Sequence, residues 1–371
     1  MNLENKKVYL INYTLEENGR GVSTYSIHLY NELLKRNIEV EKIATNDIFK
    51  KFKLGRELKN NLFFLIRNKE IKNKLVHAMT PNVIPIKYIN LPKRKIVTVH
   101  DFYVFDDDYV NSTKTKLSNI SRLAYNKLIK KQRDDYYSIK QYDFVFAINE
   151  KIKEKLISYF QVNKEKVEIS YDIIQDKFQN LDKIKDNKKV VIGFINNFTE
   201  NKTKKLKEFI EIFKKINDKN LEFQIYGKGF PFIDLIKDDN RIRYLGFLPE
   251  EKIVETYNFF DVYLSTSTVE GFGLPIMQAK ACKVPVLCYD GDIPDLVKRN
   301  TLVWNDENVE EIIKNRSWEK IDVEKAYLDA EECRADKVIP KIIEAYKEVF
   351  EWDIWYFIDI FINLIYFTEF I

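Results

Sequence analysis

The segment Ser265-Thr-Ser-Thr-Val-Glu-Gly-Phe-Gly-Leu-Pro-Ile-Met-Gln278 joins an apolar run, residues 262–267, to a helical pattern that opens at Leu274. Its glycines, Gly271 and Gly273, let the backbone approach a ligand where a Cβ would obstruct it. Pro275 suits the first helical turn, where its missing N–H costs no hydrogen bond. The N–H groups and positive dipole end of such a helix start favour an anion, a diphosphate among them. Glu270 precedes the turn. Gln278 lies about one turn beyond Leu274, placed to reach a sugar or ribose hydroxyl. Many nucleotide-binding folds use a glycine-rich turn of this kind, so the surrounding sequence has to narrow its meaning.

Outward from this segment, short apolar runs alternate with helical patterns. Runs at 190–195, 222–226 and 242–245 precede it and one at 284–288 follows, with helical stretches near 204–215 and 250–258. The first half repeats the alternation, with runs at 7–13, 40–44, 75–79, 96–101 and 144–149 and helical stretches at 22–35, 113–140 and 150–159. Strands apolar on both faces and separated by helices imply parallel sheets with crossover helices. A polar stretch at 176–189, rich in Lys, Asp and Asn, reads as a linker. The expected organisation is a domain over 1–175, a linker over 176–189 and a second domain over 190–335. A helix over 336–350 then returns toward the first domain, and an apolar tail covers 351–371. The expected fold class is α/β: two Rossmann-like, doubly wound parallel-sheet domains facing a central cleft, with the ligand at the C-terminal strand ends.

Composition bounds the function. At 371 residues, 45% hydrophobic and 32% charged, the chain can fill two cores and is not globally disordered. The net charge of +4 is unevenly spread: residues 1–150 hold 27 Lys and Arg against 17 Asp and Glu, leaving 34 against 40 for the rest. A basic first half suits an anionic partner or a solvated lysine surface. No aromatic-basic recognition motif accompanies it, so no nucleic acid is expected. Cys282, Cys288 and Cys333 show neither metal spacing nor an even disulfide set. Residues 1–7 are polar and lead straight into a strand-like run, without the pattern of a signal peptide. These features together give an expectation of a cytoplasmic protein.

The segment 265–278 resembles the signature of family 4 retaining glycosyltransferases of GT-B fold, in which a Glu, seven residues and a second Glu frame a GFGLP-like turn. Ile225-Tyr-Gly-Lys-Gly229 is similar to the family's glycine-bearing strand end, and Tyr244-Leu-Gly-Phe-Leu-Pro249 to the strand and turn before the nucleotide base. Residues 279–287 (AKACKVPVL) resemble the helix and strand that follow the signature, and Gly291-Asp-Ile-Pro-Asp295 the next loop. In the first half, Gly19-Arg-Gly21 resembles the glycine loop after the first strand, and Val97-Thr-Val-His-Asp101 the family's VTVHD. The resemblance covers about residues 5–350.

It implies a metal-independent, same-face transfer of a hexose from a UDP- or GDP-sugar to an acceptor hydroxyl, with the acceptor bound by the domain over 1–175 and the nucleotide sugar by that over 190–335. The leaving phosphate takes the acceptor's proton. The nucleotide sugar is a co-substrate, and no cofactor or metal is implied. Glu270, His100 and Lys204 are then the catalytic candidates. Gly19, Gly21, Lys202, Gly227, Leu248, Gly271, Phe272, Gly273, Leu274 and Gln278 are the donor-binding candidates. The acceptor could be a glycan, a lipid or a protein. Two positions depart from the pattern. Gln278 stands where the second Glu is usual, and Phe194 where an Arg that neutralises the diphosphate is usual, with Lys202 or Lys204 left to supply charge. The alternative is a catalytically impaired relative that binds a sugar or nucleotide.

Of the remaining candidates, His77 and His28 read mainly as structural, and Asp106–Asp108 as a solvated loop despite its likeness to a metal-binding DxD. Residues 50–74 mix Lys and Arg with Leu54, Leu58, Leu62, Phe63 and Ile66. They suit either an anionic membrane surface or a crossover helix covering the sheet. The tail 354–371 is interrupted by Asp359, Asn363 and Glu369, which favours docking on the first domain, or an interfacial position on the inner membrane face, over a span.

Overall fold

The computed structural model describes residues 6–15, 21–47, 56–72, 74–107, 110–111, 119–182, 189–196, 198 and 200–368, though not the side chains of 56–57, 119–121, 124, 200–202, 204 and 352–368. They form two compact units, residues 1–173 with 338–371, and residues 174–337.

The first unit holds a six-stranded sheet in the order β2-β1-β3-β4-β5-β6. Its strands are β1 (Val8–Asn12), β2 (Val40–Ala44), β3 (Leu75–Ala78), β4 (Arg94–Val99), β5 (Phe144–Ala147) and β6 (Val167–Ile169). All pairings are parallel. Central strands of a parallel sheet are covered on both faces, and every residue of β1, β3 and β5 is buried. The helix Val22–Lys35 follows β1, and Glu150–Ser158 follows β5 with Asn149 as its cap, Oδ1 accepting from Ile152 N at 2.8 Å.

The second unit holds a parallel sheet in the order β12-β11-β10-β7-β8-β9. It comprises β7 (Val190–Ile195), β8 (Leu221–Tyr226), β9 (Ile242–Gly246), β10 (Val262–Ser265), β11 (Val286–Tyr289) and β12 (Leu302–Trp304). Its core gathers Phe194, Phe209, Phe213, Phe223 and Trp304, each fully shielded from solvent. Trp304 also donates its indole N–H to Ser265 O at 3.0 Å, which ties the edge strand to the end of β10.

Residues 176–182, expected within a linker, are instead packed on the second unit. Phe178 is buried, Ile174 bridges to Arg334, and Arg334 donates to Gln175 O and Phe178 O at 2.8 and 2.7 Å. Polar composition concealed these few apolar anchors. The helix Ala335–Thr368 begins in the second unit and belongs to the first from Val338 onward. There Tyr346 and Phe350 are buried, with the cations of Lys6 and Arg94 4.6 and 5.0 Å from the Phe350 ring centre.

The helix Arg56–Ile66 turns Phe63 and Phe64 into the first unit, as a crossover helix does, and leaves Leu58, Leu65 and Ile66 exposed. Among the described residues, no helix is long and apolar enough to cross a membrane.

Phe194 sits in β7 opposite Ile225, inside the core. A cation at this position would be buried without a partner, at a cost of several kcal/mol. Phe194→Arg is therefore expected to lower the melting temperature by about 10 °C or more, and Phe194→Leu by only a few degrees. Thermal unfolding followed by circular dichroism measures both, and an Arg variant as stable as the parent would contradict the assignment.

Candidate functional site

In the second sheet the strand order reverses between β7 and β10. Connections leaving two neighbouring strands at such a point turn to opposite sides and open a crevice at the C-terminal ends. The loop after β10 begins there with Thr266 and Ser267, both buried, and Ser267 Oγ donates to Glu270 Oε1 at 2.6 Å. The Glu270 N–H donates to Asp292 O at 3.2 Å, and the Asp292 N–H to Thr268 O at 2.8 Å. The loops after β10 and β11 are thus joined by a short ladder. Gly291 makes this approach feasible, since a Cβ there would lie 2.4 Å from Thr268 O.

At Gly273 the backbone adopts φ 96° and ψ 42°, a left-handed conformation natural to glycine, and starts the helix Leu274–Ala281. The N–H groups of Gly273 and Leu274 have no acceptor among the described residues, as expected where a helix begins. Phe272 is buried, so its side chain serves the core and only its backbone can meet a ligand. Gln278 accepts from the Tyr257 hydroxyl through Oε1 at 3.3 Å, and the same hydroxyl reaches Pro275 O at 3.1 Å. That orientation leaves the Gln278 amide nitrogen as a donor.

The helix is fixed from behind by a buried charge. Lys280 Nζ bonds Asp329 Oδ2 at 3.0 Å and the carbonyl oxygens of Leu296 and Arg299, while Asp329 also accepts from Arg299 and Asn300. Burial holds the Lys280 pKa below the usual lysine range, and the Asp329 carboxylate opposes that shift.

Of the other donor candidates, Gly227 follows β8 with both backbone groups engaged, its N–H on Gly246 O and its carbonyl on the Tyr244 hydroxyl, each at 2.8 Å. Leu248 and Gly271 are half-buried. Lys202 and Lys204 belong to the helix Glu200–Lys215, and their side chains lie outside those described.

In the first unit Gly21 precedes the helix Val22–Lys35, and Gly19 lies outside the described residues. His100 follows β4 and is 7% exposed, with the Tyr25 ring edge-on at 4.8 Å. Its Nδ1 stands 3.8 Å from Asp172 Oδ1, too long for a hydrogen bond. His100 Nε2 and Asp172 Oδ1 are buried without hydrogen-bond partners among the described residues. Burial lowers the His100 pKa to about 3 and raises that of Asp172 to about 7. Sequence reasoning missed Asp172, which follows a three-residue strand and belongs to no motif. It also missed Tyr257, whose role becomes visible only once its helix lies against Gln278.

His77 is structural: Nε2 meets Thr98 Oγ1 and Nδ1 meets the Tyr346 hydroxyl, both at 2.8 Å. His28 is half-buried within its helix. Asp107 is exposed and paired with Arg133 at 2.9 Å, and Asp108 lies outside the described residues.

Residues 189–316 match the family model described as glycosyl transferases group 1. That match lies wholly within the second unit. The chain is 32% identical over 114 residues to O-antigen chain mannosyltransferase B of Escherichia coli, covering 29% of this chain and 30% of that protein. It is 23% identical over 230 residues to the phosphatidylinositol N-acetylglucosaminyltransferase GPI3 subunit of Saccharomyces cerevisiae, covering 58% of this chain and 46% of that protein. The chain thus spans less than half the length of these curated relatives. Among solved structures, sucrose-phosphate synthase of Thermosynechococcus elongatus superposes with TM-score 0.68 at 14% identity, over 93% of this chain and 99% of that one. HepE of Anabaena, in complex with UDP and glucose, superposes with TM-score 0.64 at 14% identity, over 93% and 100%. The chain has the GT-B fold, and the group 1 match falls on the unit that carries the Glu270 loop.

Burial of its histidines should make the first unit acid-sensitive. Burial, helped by repulsion from His100, lowers the His77 pKa to about 3, below the usual 6.5 or so of an unfolded chain. A group depressed in the folded state contributes stability that is complete above pH ~6.5 and lost as the pH falls toward 3. The melting temperature should therefore drop between pH 6.5 and 4, and less steeply in His77→Gln. Parallel pH profiles in the two proteins would refute this origin.

Proposed function

We propose that the chain is a retaining glycosyltransferase that moves a hexose from a UDP- or GDP-sugar to an acceptor hydroxyl. The observation that carries this reading is the laddered loop of the second unit, where Glu270 stands beside a helix start with two amide donors unused among the described residues. The Gly273 and Leu274 N–H groups then receive the diphosphate, and the positive helix end stabilises charge as it leaves. Glu270 accepts from sugar hydroxyls. Gln278 donates its amide to the ribose with a bond weaker than a carboxylate's, by on the order of 1 kcal/mol. Lys202 and Lys204 supply the positive charge that Phe194 does not. The acceptor oxygen bonds to the anomeric carbon on the face the phosphate leaves, the sugar–phosphate C–O bond breaks, and the departing phosphate takes the hydroxyl proton. Neither a metal nor a separate base belongs to the proposal.

Calorimetric titration with UDP, GDP and their common sugar conjugates tests the donor site. One nucleotide class should bind selectively, at least tenfold more weakly in Glu270→Ala, and equally well with or without EDTA. Failure of every conjugate to bind would sink the reading. The burial of Phe194 favours a second reading, a relative that binds the donor without turnover. It is distinguished by tight binding that releases no nucleotide from any acceptor mixture.

We also propose a peripheral contact with an anionic inner membrane face through 50–74 and 354–371, supported by the outward Leu58, Leu65 and Ile66. Flotation with vesicles containing anionic lipid should recover the protein, and recovery should fall when these three residues are replaced by Ser. Equal recovery on neutral vesicles would remove the electrostatic part of the proposal.

A further inference from the structure

The first sheet also has a reversal point. Its order β2-β1-β3 means that the chain leaves β1 to one side and returns at β3 on the other. The rule that places a crevice beside β7 and β10 places one beside the ends of β1 and β3. A cavity of about 480 Å³ lies there, a volume usual for small-molecule sites. Asn12–Thr14 border it from β1 and Thr80, Asn82 and Val83 from β3, with Asp101 beyond β4 and Gln132 and Tyr136 from the helix Asn119–Tyr137.

The chemistry of the lining is selective. Residues 1–150 carry a surplus of Lys and Arg, yet among the described residues no Lys, Arg or His lines this cavity, and Asp101 is its one charged side chain. A phosphate or carboxylate would find no counter-charge among the described lining residues and would face a carboxylate. An alkyl chain would strand the amides and hydroxyls of Thr14, Asn82, Tyr125 and Gln132. Among the described residues, the side chains of Thr14, Tyr125 and Gln132 make no hydrogen bond of their own. Asp101 is anchored on one side only: Oδ1 accepts from Tyr103 N at 3.2 Å and from the Tyr136 hydroxyl at 3.5 Å, while Oδ2 has no partner among the described residues. Burial raises the Asp101 pKa above the usual aspartate value, while both of those bonds oppose the shift.

A ligand that matches this surface is neutral, donates and accepts at several points, and presents C–H faces to tyrosine rings. We propose that the cavity is the acceptor site and takes an uncharged sugar residue, with Asp101 Oδ2 accepting from its hydroxyls. The inference rests on the transferase reading above and narrows its acceptor from glycan, lipid or protein to a glycan end without phosphate or carboxylate.

The test is ligand-observed NMR on the full chain without nucleotide. The panel is the methyl glycosides of glucose, mannose, galactose and N-acetylglucosamine, with the 6-phosphates of the same sugars and vesicles of phosphatidylinositol. At least one neutral glycoside should show saturation transfer, and its affinity should fall about tenfold or more in Asp101→Ala, the loss of a charge-assisted hydrogen bond. Gln132→Ala, at a half-buried position, should weaken it severalfold and covers the case in which Asp101→Ala does not fold. Preference for the sugar phosphates or the vesicles would overturn the proposal, as would glycoside binding indifferent to both substitutions. Donor titration of the same sample separates the two readings. Intact UDP or GDP binding with no glycoside binding overturns the acceptor class alone, whereas glycoside binding with no nucleotide binding overturns the cavity's role as an acceptor site.

Discussion

Both units depend on one constraint: every described strand pairing in both sheets is parallel. A parallel pair cannot be closed by a tight turn, so each connection crosses a face of the sheet, usually as a helix. All C-terminal strand ends then collect along one edge, where backbone groups leave the ladder and helices begin. The chemistry-bearing residues of each unit therefore share an edge. His100, Asp101 and Asp172 lie just past β4 and β6, and Glu270 and Asp292 just past β10 and β11.

What distinguishes the second unit's edge is how firmly it is backed. Lys280 is fully buried in salt-bridge contact with Asp329, and such a pair is weak evidence of stability because both ions lose their hydration. Its geometric effect is stronger. One ammonium group binds two carbonyls and a carboxylate, so the helix Leu274–Ala281 is held against the helix Val323–Glu331 in one arrangement. Trp304 does the same for the end of β10. A rigid helix start presents its dipole without reorganising around an arriving charge, which is where electrostatic catalysis gains most.

Much of this was legible in the sequence, unevenly so. The strongly apolar runs gave ten of the twelve strands, because burial on both faces leaves continuous runs of Val, Ile, Leu and Phe. The two that were missed, β6 and β12, are three-residue edge strands, too short for any periodicity. The strand-to-helix turn at Gly273 was readable because glycine and proline report local backbone geometry. Tyr257, Asp172 and the Lys280–Asp329 pair were not. Each matters through a partner 21 or more residues away, and one sequence holds no trace of that pairing. Phe194 shows the converse: a motif position can be aligned without revealing that its side chain points into the core.

The first unit is discontinuous, since residues 174–337 are threaded between its main part and the helix that completes it. His77 and its partner Tyr346 are 269 positions apart, and the Phe350 ring that receives Lys6 and Arg94 arrives later still. During synthesis from the ribosome, the second unit can therefore close its core while the first still waits for its last helix. The half of the molecule translated first is the half that finishes folding last, with the His77 imidazole lacking its Tyr346 hydroxyl and the hydrophobic seat of Phe350 open to water through the interval.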